Sequence, residues 1–169
     1  GSLALREEES RQALMQVLDA TRAPVFVDVN LRAPWWGRER VLASVRRASW
    51  VKLNQEELEL LAPGLSPGKV LESFCLDGLI LTRGARGAQC LTRAGADVRV
   101  APSVSGRVLD TVGAGDALAS VMIHALLEGW EPGLALGDIE LVDVRGNFLR
   151  AASGEFEPFL VVQAVEETR

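Results

Sequence analysis

Residues 110–116 read Asp-Thr-Val-Gly-Ala-Gly-Asp and run straight into a long apolar segment, ALASVMIHALLEGW. Gly113 and Gly115 permit backbone conformations closed to other residues, and Ala114 adds almost no side chain, so a ligand can approach the main chain closely. The segment that follows places Leu118, Val121, Met122, Ala125 and Leu126 on one helical face. Unpaired amides at the start of that helix, at the positive end of its dipole, form a cradle for an anion such as phosphate. Asp116 stands inside this cradle, where a carboxylate repels the anion unless it has its own task. One such task is to accept the proton of a hydroxyl whose oxygen attacks a phosphoryl group while the amides steady the developing charge. The other reading is an acid that only complements the helix dipole.

Two other phosphate loops do not fit. A Walker loop needs Lys and then Ser or Thr where Asp116 and Ala117 stand. A dinucleotide fingerprint needs a third Gly where Leu118 stands, and belongs to the first strand of its unit.

The elements that must position this turn alternate. Residues 7–20 place acids before Ala13, Leu14, Val17 and Leu18 at helical spacing, which predicts an amphipathic helix. A strand is expected over 24–29, a helix over 38–48 and a strand over 49–53. Asn54 then caps a helix over 55–62 that Pro63-Gly64 ends. Another short helix follows over 66–76, then strand-like runs at 79–82, 88–92 and 98–102 separated by Gly-containing turns. Ser2 to Leu5 reads as a short apolar strand, and a helix is expected around 140–152. This order indicates βαβ units and a mostly parallel sheet covered by helices on both faces, in a single domain over 1–169.

A net charge of −5 and a pI near 5.0 argue against nucleic acid and anionic membrane surfaces as partners, since both reward clustered Lys and Arg. Arg38, Arg40, Arg46 and Arg47 read as a solvated helix face. No run reaches the roughly 18 apolar residues of a membrane span, and no basic region precedes an apolar core at the start, so export is not expected. Cys75 and Cys90 fit no metal-ligand spacing and are expected to be buried reduced thiols, which suits a cytoplasmic protein, though a disulfide between them is also open. His124, in an apolar helical run, reads as a satisfied core or interface residue, and Trp50 and Trp130 as packing residues.

The run DTVGAGDA resembles the C-terminal signature of the ribokinase-like (PfkB) carbohydrate kinases, and further motifs upstream follow in that family's order over about residues 1–130. The resemblance implies a three-layer α/β/α fold with a mostly parallel sheet, and ATP- and Mg2+-dependent phosphorylation of a sugar hydroxyl. It implies that Asp116 is the catalytic base and that the amides of Gly113, Ala114 and Gly115 form the anion hole. The sequence Thr82-Arg83-Gly84-Ala85-Arg86-Gly87 is similar to the family's Thr-x-Gly-x-x-Gly, which implies that Thr82, Gly84 and Gly87, with Asp110 and Thr111, serve the nucleotide. A Gly-rich hairpin turn is the other reading of that stretch. Asn54 and Glu57 match an Asn-x-x-Glu motif that helps place magnesium, largely through water, where a cap followed by a solvated acidic turn is the alternative. Asn30 and Arg32, in Asp-Val-Asn-Leu-Arg, resemble the sugar or sugar-acid contacts of fructokinase-like and 2-keto-3-deoxygluconate kinase-like members. Arg32 would otherwise be a surface charge.

Members of this family are nearly twice as long, so the chain resembles their C-terminal portion. The N-terminal half, with most sugar contacts and a small β-sheet lid, is expected to be missing. Its loss would expose apolar surface, so either association, with a homo-oligomer as one form of it, or poor solubility is expected. The residues after Trp130 do not match the helix that borders adenine in the family. A non-catalytic nucleotide- or phosphate-binding module, or an inactive kinase remnant, is the alternative function.

Overall fold

The computed structural model of the chain describes residues 5, 7–34, 36–101, 114–137, 139–141 and 149–151. In chain order the elements are α1 (Glu8–Ala20), β1 (Phe26–Asp28), α2 (Arg38–Val45), β2 (Trp50–Asn54), α3 (Gln55–Leu61), α4 (Pro67–Ser73) and β3 (Gly78–Thr82). They continue with β4 (Ala88–Thr92), β5 (Asp97–Val100), α5 (Ala114–Leu127), α6 (Pro132–Gly137), β6 (Ile139–Leu141) and β7 (Leu149–Ala151).

Strands β1 to β5 form one sheet in sequence order. The β1–β2 and β2–β3 pairs are parallel, with helices on the connections, whereas β3, β4 and β5 meander antiparallel. Alternation along the strands sends side chains to two separate cores. Val51, Leu53, Leu79 and Leu81 pack with Val41, Leu42 and Val45 of α2, Leu58 and Leu61 of α3 and Val70 of α4. Trp50, Ile80 and Cys90 face the other way and pack with Leu118, Met122 and Ala125 of α5 and Ala135 and Leu136 of α6. The sheet is therefore the middle of three layers, with α5 and α6 on one face.

Local chemistry explains most of the boundaries. Asn54 and Glu57 form a reciprocal capping box at the start of α3, and Ser66 caps α4 ahead of Pro67. Gly64, beyond the end of α3, takes a left-handed φ of +73°. The arginines of α2 and of the turn after it do more than solvate a helix face. Arg38 donates twice to the carbonyl of Leu61 at the last turn of α3, and Arg47 pairs with Asp19 of α1.

Several expectations are corrected. On α1 the inner stripe is Leu14, Met15 and Leu18, while Ala13 is exposed and Val17 is 63% exposed. Helical spacing alone admits either stripe, and docking against the sheet selects one. Cys90 is buried, but Cys75 is exposed in a left-handed conformation at φ +54°, and both thiols are free. In place of a helix around 140–152, Ile139–Leu141 and Leu149–Ala151 pair antiparallel as β6 and β7. Cross-strand pairing there overrides a weak helical pattern. Of the Ser2 to Leu5 stretch, Leu5 is buried in the first core, and 1–4 lie outside the described residues.

Candidate functional site

The carboxyl ends of the three parallel strands deliver polar residues to one face, the face that α5 covers. Asp28 of β1 stands opposite Lys52 of β2, and Asn54 stands opposite Thr82 of β3. Trp50, Lys52 and Asn54 share a face by strand alternation, and Trp50 already packs under α5. Lys52 Nζ donates to Asp28 Oδ1 at 2.7 Å with only 7% of the lysine side chain exposed. Above it lies the first turn of α5, where a methyl placed on Gly115 would stand 3.3 Å from Lys52 Nζ and 3.9 Å from its Cε. The crevice at the carboxyl ends of a parallel sheet, next to a helix N-terminus, is where α/β folds bind phosphorylated ligands.

The predicted residues lie as follows. Ala114 and Gly115 form the first turn of α5, and Asp116 is exposed there, with its carbonyl accepting from Ser120 Oγ at 2.9 Å. Asp110, Thr111 and Gly113 lie outside the described residues. Thr82 ends β3 half-buried, and a short 3-10 turn over Gly84–Arg86 leads into the β3–β4 hairpin.

The two glycines of that hairpin have different reasons to be glycine. Gly84 has φ +57° with open space where a side chain would go, so a ligand can reach its backbone. Gly87 has φ +85°, and a methyl there would fall 1.8 Å from the Val100 carbonyl oxygen, so packing against β5 excludes any side chain. Arg83, between Thr82 and Gly84, donates to Gln89 Oε1 at 2.7 Å, and the buried Gln89 donates in turn to Asp97 Oδ1 at 2.6 Å. The bond from Gln89, with Arg99 beside it, holds the Asp97 carboxyl below its ordinary range.

Glu57, near the start of α3, is held through both carboxyl oxygens. Its Oε2 accepts from Asn54 N at 2.8 Å, its Oε1 accepts from Leu31 N at 3.0 Å, and Asn54 Oδ1 accepts from Glu57 N at 2.9 Å. It thus ties the start of α3 to the loop carrying Asn30 and Arg32, a tether across 26 residues that the capping motif alone does not reveal. Burial pushes its carboxyl up, against the two backbone N–H bonds and Lys52, which pull it down. Asn30 is half-buried and Arg32 exposed on that loop. His124 stacks edge-on against Trp130 with ring centroids 5.5 Å apart, a packing contact.

Lys52 was missed by sequence reasoning. Its signal was present: a single charge at an alternate position of the otherwise apolar run WVKL.

Comparisons with known proteins point one way. The profile of the pfkB family carbohydrate kinases matches residues 4–135. The chain is 30% identical to aminoimidazole riboside kinase of Salmonella typhimurium, over 90% of this chain and 51% of that protein. It is 29% identical to fructokinase-2 of Oryza sativa subsp. japonica, over 73% of this chain and 40% of that one. Among solved structures, aminoimidazole riboside kinase from Salmonella enterica, complexed with aminoimidazole riboside and an ATP analog, superposes with a TM-score of 0.68 at 27% identity. That superposition covers 80% of this chain and 50% of the other. The chain spans about half the length of the curated relatives it matches.

Proposed function

We propose that this chain, which belongs to the pfkB family of carbohydrate kinases, carries the nucleotide-binding and catalytic-base portion of an ATP-dependent sugar kinase. The observation that carries the reading is the first turn of α5 set at the carboxyl ends of β1 to β3, with Asp116 exposed on that turn.

In this reading the amides at the start of α5, from Gly113, Ala114 and Gly115, receive the transferred phosphate. Charge growing on its oxygens is met by fixed dipoles that need no reorganisation. Asp116, reachable from solvent, takes the proton of the sugar hydroxyl as that oxygen attacks phosphorus. Thr82 and the open backbone of Gly84, with Asp110 and Thr111, hold the nucleotide's phosphates. Asn30 and Arg32 face the sugar or sugar acid, on a loop that Glu57 fastens through Leu31 N. An ATP-using enzyme works where ATP is, so the reading carries a cytoplasmic location with it.

Magnesium fits these residues only through water. Among the described residues no cluster of three or more metal-ligating side chains exists, and each oxygen of Glu57 already accepts a backbone N–H. A carboxylate oxygen keeps a second lone pair, so Asn54 and Glu57 can hold waters of a magnesium ion, which gives up its hydration reluctantly. When bound, the ion neutralises charge on the phosphate oxygens.

The test is phosphoryl transfer from ATP to fructose, 2-keto-3-deoxygluconate or ribose, with calorimetry of ATP binding alongside. Asp116→Asn is expected to lower turnover by about 10²-fold or more while leaving ATP affinity in place. Undiminished turnover in that variant overturns the base assignment. ATP binding without turnover in the unsubstituted chain favours a nucleotide-binding module, and no ATP binding overturns both.

A further inference from the structure

We draw no further inference here: the strongest candidate, the largely apolar cavity of about 130 Å³ that lies beside β1 between α1 and α2, carries nothing because Leu5 in its wall adjoins residues outside the described ones and nothing in the structure shows what covers it.

Discussion

Trp50 and Gly78 stand opposite one another on the parallel strands β2 and β3, and the indole lies across the glycine so closely that a methyl on Gly78 would fall 2.1 Å from the ring. Trp50 is 8% exposed and packs in the core under α5, with Ile80 and Met122 beside it. The sheet can therefore carry its largest side chain on this face only because its neighbour has none.

Gly78→Ala is expected to cost about 3 kcal/mol, the upper part of the range for overpacking a rigid core. Urea unfolding reads it as a lower midpoint at unchanged slope. Adding Trp50→Leu should recover part of the loss, because the two sites are in contact and their effects do not add. A midpoint unmoved by Gly78→Ala would mean that the indole swings away freely.

The glycines of the β3–β4 turn separate folding from binding. Gly87→Ala is expected to destabilise by about 2 kcal/mol or more, since the left-handed conformation and the clash with the Val100 carbonyl both oppose it. Gly84→Ala meets open space and bears only the left-handed cost of about 1 kcal/mol. In calorimetry Gly84→Ala should nonetheless weaken ATP, because its methyl occupies the space through which phosphate would reach the backbone. Unchanged ATP affinity would remove that loop from the nucleotide site.

Glu57→Gln tests the tether between α3 and the Asn30–Arg32 loop. Glutamine can accept only through its single oxygen, so one of the bonds from Leu31 N and Asn54 N is lost, at about 1–3 kcal/mol. The pH dependence has a defined sign. Burial raises the folded-state pKa of Glu57 above 4.5, so the folded chain binds the proton more tightly than the unfolded one. The Glu57 contribution to stability therefore grows as pH falls from neutral through the raised value toward 4.5. Unfolding at pH 7 and pH 5 should show the gap between unsubstituted chain and variant widening in acid. A gap that narrows would contradict the burial that raises the pKa.

The thiols should differ in reactivity. Burial pushes Cys90 up to about 12, so it holds almost no thiolate at neutral pH, whereas Cys75 is exposed. A chromogenic disulfide reagent should titrate one thiol in the native chain and two after unfolding, and Cys75→Ser should abolish the native reaction. Fast native labelling of two thiols would show that the sheet opens around Cys90.

Features written in short stretches were legible in the sequence. The apolar helix with Asp116 in its first turn, the Asn54 cap with Glu57 three residues on, and the alternation of strand and helix depend on neighbours in the chain. Where a reading needed a distant partner it failed or stayed incomplete. The inner stripe of α1 could not be chosen from its spacing, and the exposure of Cys75 could not be read from its type. The strand pair β6–β7 replaced an expected helix because pairing is decided across the gap between strands.

By itself the sequence determined the local devices: an apolar helix with an acid in its first turn, a capped helix, and strands with two apolar faces. Backbone sterics and local hydrogen bonding act over three or four residues, so composition at those positions suffices. Only the tertiary structure decided which side chains meet. It set Lys52 against Gly115 and Asp28, fastened Glu57 to Leu31, and laid Trp50 over Gly78. These contacts are created by the register of strands and the docking of α5, and their energies depend on burial, which no short stretch of sequence contains.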